Sequence, residues 1–107
     1  TYSAVVRDIA ATTGTQLIDL EASSRAWVDG KGVEGSKALF LHYPAGRWPG
    51  FKDGIDDDTH FSELGARGVA DLIAADLART GLPVAAKVAK DRPDLTRTKP
   101  LGKMGCR

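Results

Sequence analysis

Cysteine is all but missing from this sequence. Cys106 stands alone in 107 residues, so no disulfide closes within the chain. A bond to another chain stays open, but a free thiol near a terminus is the simpler reading, and cysteine usage does not decide the compartment. Long hydrophobic runs are missing as well. Nothing approaches the roughly 20 apolar residues that cross a bilayer, and no signal-peptide pattern is present, so no membrane partner is expected. There is no internal repeat. No interleaving of basic and aromatic residues marks a nucleic-acid surface, which leaves nucleic acid outside the expected partners. An initiating methionine is also lacking. Thr1 opens in what reads as the first turn of a helix, so a processed or nicked start is expected.

The composition that remains is that of an ordinary globular chain, with 42% hydrophobic and 27% charged residues. At this length one domain at most is expected, with a modest core. The net charge of +1 hides an asymmetry. Residues 1–83 carry 8 basic and 12 acidic side chains, and residues 84–107 carry 7 basic and 2 acidic. The chain therefore divides into a body, residues 1–83, and a basic tail, residues 84–107. The tail holds Pro93 and Pro100 and shows no clear period, so it is expected to be extended or disordered, docked on the acidic body or simply solvated.

Periodicity in the body suggests alternating α and β structure. Val5, Val6, Ile9 and Ala10 share one helical face within residues 2–12, and Gly14 stops that helix. Thr15–Leu20 reads as a short strand, apolar at its centre as a strand of a buried parallel sheet would be. Residues 21–29 have helical character anchored by Trp27 and Val28, and Gly30, Gly32 and Gly35 make a loop. Ala38–His42 is a short buried run of either type. Residues 43–58, broken by Pro44, Gly46, Pro49, Gly50 and Gly54, read as a long irregular loop, and a loop of that length in a small domain is more often functional than idle. Ser62 then caps a helix with the apolar stripe Val69, Leu72, Ile73 and Leu77. Glu63, Arg67 and Asp71 form an i,i+4 ladder on another face, and Gly81 and Pro83 end the helix. One strand cannot make a sheet. The helix–strand–helix order implies a parallel sheet completed from elsewhere.

Chemistry gathers at Asp56-Asp57-Asp58-Thr59-His60. An imidazole whose Nδ1 is held by a carboxylate is the base half of a nucleophilic hydrolase site, because the carboxylate fixes the tautomer and stabilises the imidazolium formed during attack. A spacing of three residues before a helix lets Asp57 fold back onto His60. Asp56 and Asp58 are also within reach, and spacing alone does not select among the three. His42, closing a hydrophobic run, reads as a satisfied structural histidine.

The stretch Asp57-Asp58-Thr59-His60-Phe61-Ser62-Glu63-Leu64-Gly65-Ala66-Arg67, running into an Ala-rich helix, resembles the last Asp-x-x-His block of the SGNH (GDSL-type) hydrolases. The likeness is to their rhamnogalacturonan acetylesterase-like branch. The Leu17-Ile18-Asp19-Leu20 segment and Lys37–Leu41 resemble the same branch in the same order, so the likeness covers about residues 2–82. It implies the C-terminal portion of a three-layer α/β/α sandwich with a parallel sheet, incomplete without an upstream segment. It assigns Asp57 as the orienting carboxylate and His60 as general base, then general acid. It implies deacetylation of plant cell-wall polysaccharide, no metal and no cofactor, and secretion as the usual setting of bacterial members, with a cytoplasmic location as the alternative. The nucleophilic serine, and the glycine and asparagine of the family's oxyanion hole, belong to earlier blocks that these residues do not contain. Ser3, Ser23, Ser24, Ser36 and Ser62 lack a Gly-Asp-Ser setting, so the chain by itself is expected to be inactive, its partner being the segment or second chain that carries the serine.

Two other readings of the same residues exist. Asp53, Asp56, Asp57 and Asp58 could hold a calcium ion, although the regular alternation and glycine of a helix-loop-helix site are missing. Tyr43, Trp48 and Phe51 could form the sugar-stacking platform of a non-catalytic carbohydrate-binding module, or, in the esterase reading, flank the cleft. Lipids and small acyl esters are the alternative substrates.

Overall fold

The computed structural model describes residues 1–91, and the end of the basic tail, residues 92–107, lies outside that range. Helix α1 spans Tyr2–Thr13. Thr1 caps its N-terminus, and Gly14 closes its C-terminus in the left-handed region at φ 69°, where a residue without Cβ is unstrained. Helix α2 spans Leu20–Asp29, with the Asp19 carboxylate accepting from the Ala22 amide. The short helix α3, Gly32–Ser36, and a 3₁₀ turn, Lys37–Leu39, lead into strand β1, Phe40–Tyr43. Strand β2, Ile55–Phe61, returns antiparallel to it, and helix α4 covers Glu63–Ala78. A 3₁₀ turn, Pro83–Lys87, then lies against α4.

Three expectations need correction. Thr15–Leu20 is not a strand: residues 15–19 form no regular element, the Leu20 amide turns back to the Ile18 carbonyl, and Leu20 is the first residue of α2. Asp19 caps that helix and also binds Arg7 of α1 through Nε, at 2.6 Å, so local capping decides the segment. Residues 30–36 are not all loop, since Gly32–Ser36 is helical. The irregular segment before the histidine ends at Gly54, and the carboxylate run itself is β2. Three aspartates have low strand preference, but pairing with β1 overrides it. The two-stranded antiparallel sheet is the sheet among the described residues. At the head of the tail Pro83–Lys87 form a 3₁₀ turn, and most of the tail lies outside the described residues.

The core is small and lies under α4. Leu39 is fully buried and is the buried apolar side chain among the described residues. Two glycines one turn apart on α4 let neighbours approach closely. A Cβ on Gly65 would stand 2.0 Å from the Leu39 carbonyl oxygen, and one on Gly68 would stand 2.0 Å from the Trp27 ring. Ser62 fastens the same corner: its hydroxyl donates to the Ala38 carbonyl at 2.7 Å and accepts from the Gly65 amide at 3.2 Å. Helix α1 contrasts with this corner, since Tyr2, Val5, Val6 and Ile9 all remain exposed.

Candidate active site

The site is built by an irregularity in the β1–β2 ladder. Tyr43 pairs with Ile55, His42 with Asp56 and Leu41 with Asp57, but the next residue, Phe40, pairs with Phe61. Residues 58–60 are thereby extruded from the ladder as a bulge. Their amides need new acceptors, and the Asp57 carboxylate serves two of them. Its Oδ1 accepts from the Thr59 amide at 2.6 Å and from the His60 amide at 2.9 Å. Phe40 and Phe61 close the far side of the bulge as a stacked pair, with ring centroids 5.4 Å apart.

The turn thus folds His60 back over Asp57, and His60 Nδ1 lies 2.7 Å from Asp57 Oδ2. The two backbone amides, with the His60 side chain, hold the Asp57 carboxyl down at about 2. An ionised carboxylate only accepts, so Nδ1 is the donor and the basic lone pair sits on Nε2. The His60 side chain is 74% exposed and Asp57 22%, which leaves Nε2 open to an incoming group while its orienting partner is sheltered.

Asp56 and Asp58 serve a different histidine. Asp56 lies on the β2 face opposite to Asp57, as alternation on a strand requires, and Asp58, at the start of the bulge, turns to the same histidine. Asp56 Oδ1 meets His42 Nδ1, and Asp58 Oδ1 lies 2.8 Å from His42 Nε2. Two ionised acceptors on both ring nitrogens require an imidazolium. Burial lowers the His42 pKa, but the bonds to Asp56 and Asp58 outweigh it, and the net shift is upward. Geometry therefore separates carboxylates that spacing left equivalent: Asp57 to His60, Asp56 and Asp58 to His42. The sequence signal for this clamp was the Asp-x-Asp alternation, legible only once the segment is recognised as a strand.

The remaining candidates disperse. Asp57 points to His60 while Asp56 and Asp58 point to His42, and among the described residues no group of three side chains that could hold a metal is found. Ser23 donates to the Leu20 carbonyl and Ser24 to the Glu21 carbonyl, Ser36 to the Val33 carbonyl, and Ser62 is a buried helix cap. Tyr43, Trp48 and Phe51 cluster on the Pro44–Gly54 loop, with Tyr43–Trp48 and Tyr43–Phe51 centroids 6.0 and 5.9 Å apart.

Comparison with known proteins gives the chain a kinship. It is 37% identical over 83 residues to the rhamnogalacturonan acetylesterase RhgT of Bacillus subtilis (strain 168), an alignment covering 78% of this chain and 36% of that protein. It is 33% identical over 91 residues to the probable rhamnogalacturonan acetylesterase YesY of the same organism, covering 85% of this chain and 38% of that protein. The chain spans little more than a third of the length of these curated relatives. No protein-family model and no solved structure matches it.

Proposed function

The chain is related by sequence to the rhamnogalacturonan acetylesterases of the SGNH family, and from that premise we propose that it is the Asp–His part of a serine acetylesterase acting on pectin-type polysaccharide. The observation that carries this reading is the 2.7 Å bond from His60 Nδ1 to Asp57, with Nε2 open. In this reading a serine from a segment outside these residues stands against Nε2. His60 takes the hydroxyl proton as the oxygen attacks the acetyl carbonyl, and Asp57 stabilises the imidazolium. When the tetrahedral intermediate collapses, His60 returns the proton to the departing sugar oxygen, leaving an acetyl-serine. Water activated by the same Nε2 then releases acetate and restores the serine.

The serine and the oxyanion donors would come with the upstream segment, which also adds the parallel strands of a three-layer α/β/α sandwich. The uncovered face of α1 supports that completion, since Val5, Val6 and Ile9 are about half exposed and an amphipathic helix is stable when its apolar face is covered. A polysaccharide does not cross a membrane, so the proposed site of action is extracellular. Acetate release from acetylated rhamnogalacturonan by the complete protein tests the reading. His60→Ala is expected to lower kcat by roughly three orders of magnitude or more with the fold intact. Undiminished turnover in that variant would remove the esterase reading.

A further inference from the structure

Four of the five arginines among the described residues hold a carboxylate: Arg7 with Asp19 and Glu21, Arg25 with Glu21, Arg67 with Glu63, and Arg79 with Asp76. Arg47 is the exception. Its guanidinium lies 5.6 Å from the centroid of the Trp48 ring, and none of the ion pairs among the described residues involves it. The two tryptophans differ in the same way. Trp27 is half-buried against Gly68, with Lys31 Nζ 5.8 Å from its ring centroid, whereas Trp48 is 44% exposed. A half-open indole with an uncommitted guanidinium on it offers a stacking face and a planar fork of donors within one side-chain length.

The loop that presents them is held by its own backbone. The Gly46 amide donates to the Lys52 carbonyl, Arg47 to Pro44, Phe51 to Trp48 and Gly54 to Phe51, at 2.9–3.2 Å. Trp48 and Phe51 form an isolated antiparallel bridge, and Tyr43 meets the Trp48 ring edge-on. Gly54, at φ 81°, is a required glycine, because a Cβ there would stand 2.8 Å from the Tyr43 carbonyl oxygen. Lys52 adds a second cation to the loop and Asp53 an anion. The platform is therefore set before any ligand arrives, which reduces the ordering cost of binding.

We propose that Arg47 and Trp48 form a subsite for an acidic sugar residue of the polymer, the indole stacking on the pyranose ring and the guanidinium binding the uronate carboxylate. This rests on the pectin-type substrate reading above, since such a polymer carries a carboxylate on its galacturonosyl units. The loop meets β2 at Ile55, five residue steps and at most roughly 17 Å from His60, and Trp48 lies further out on the loop, beyond Phe51, so the path from the subsite to His60 is longer than that and takes several sugar units. A short oligosaccharide spans that length, so the subsite selects which stretch of the polymer is presented to His60.

Calorimetry on the complete protein carrying His60→Ala tests the subsite without turnover. The ligands are a galacturonate oligomer and a neutral galactose oligomer of equal length. The acidic oligomer is expected to bind at least tenfold more tightly, and added salt should erode that advantage. Arg47→Gln should abolish it while leaving the neutral oligomer's affinity as it was, and Arg47→Lys should restore part of it. Trp48→Ala should weaken both ligands about tenfold, and Trp48→Phe should recover stacking if the alanine variant fails to fold. Equal affinity for the two oligomers, binding of neither, or indifference to Arg47→Gln would overturn the subsite. Turnover of the unmutated protein reads the esterase proposal separately, so either can fail without the other.

Discussion

The corner formed by residues 37–78 and the helix formed by residues 2–13 are both rich in apolar side chains, yet they end in opposite states. In the corner, Leu39 is fully buried, Ser62 is satisfied on both sides, and each of the three aspartates of β2 has a defined partner. In α1, Val5 is 57% exposed and Ile9 56%. The corner closes on itself because β1, β2 and the start of α4 bring residues from both sides of the Pro44–Gly54 loop together, Ala38 with Ser62 and Phe40 with Phe61. The helix displays an apolar face for which the described residues provide no cover. The Asp57–His60 pair is thus fully organised while the described core is small, and the two properties should separate experimentally.

The largest effect expected is on folding itself. Residues 1–107 alone should lack a cooperative thermal transition, and addition of the completing segment should create one. A sharp transition with dispersed amide resonances for the isolated chain would dissolve the contrast between the two regions. Within the complete protein, the corner should be most sensitive at its glycines. Gly65→Ala forces a Cβ against the Leu39 backbone, which cannot swing aside, and should destabilise by about 3 kcal/mol, the upper end of overpacking costs. Gly68→Ala meets the tip of the Trp27 ring and should cost less, since a side chain can rotate. Urea midpoints in the two variants check the order.

The smallest effect expected is a pH dependence of the hairpin. The His42 pKa is raised from 6.5 by its two carboxylates, so the clamp's contribution is complete below the unfolded value. It is lost as pH rises through the higher folded value. Stability measured between pH 6 and about 9 should therefore decline, and His42→Gln should flatten that decline. A hairpin whose stability rose over the same interval would contradict an imidazolium clamp.

What the sequence revealed depended on how local the cause was. Gly14 as a stop and Ser62 as a cap act within one helical turn, and both are seen where periodicity predicts them. Thr15–Leu20 misled because its apolar pattern suits a strand, while the deciding bonds, Asp19 to the Ala22 amide and to Arg7, involve a cap and a residue on another helix. The aspartate run was hidden for a related reason. Its strand character comes from β1, across the Pro44–Gly54 loop, and its division of labour comes from a bulge that no spacing rule reveals. Gly65 and Gly68 carry no apolar signal, so the closest packing on α4 was invisible beside the Val69, Leu72 and Leu77 stripe. The pairing of Asp57 with His60 was legible as one of three options, and the backbone bonds to Asp57 Oδ1 are what distinguish it.

That distinction also gives the most direct test of the account. Asp56→Asn, Asp57→Asn and Asp58→Asn can be compared in the complete protein by the initial rate of acetate release from a short acyl ester. Asp57→Asn should be the crippling change, by roughly three to four orders of magnitude in kcat, because it leaves His60 in place with the wrong tautomer. The other two should retain at least about tenfold more activity than Asp57→Asn, since their carboxylates bind His42 and not His60. A nearly silent Asp57→Asn beside a crippling Asp56→Asn or Asp58→Asn would contradict the dyad described here.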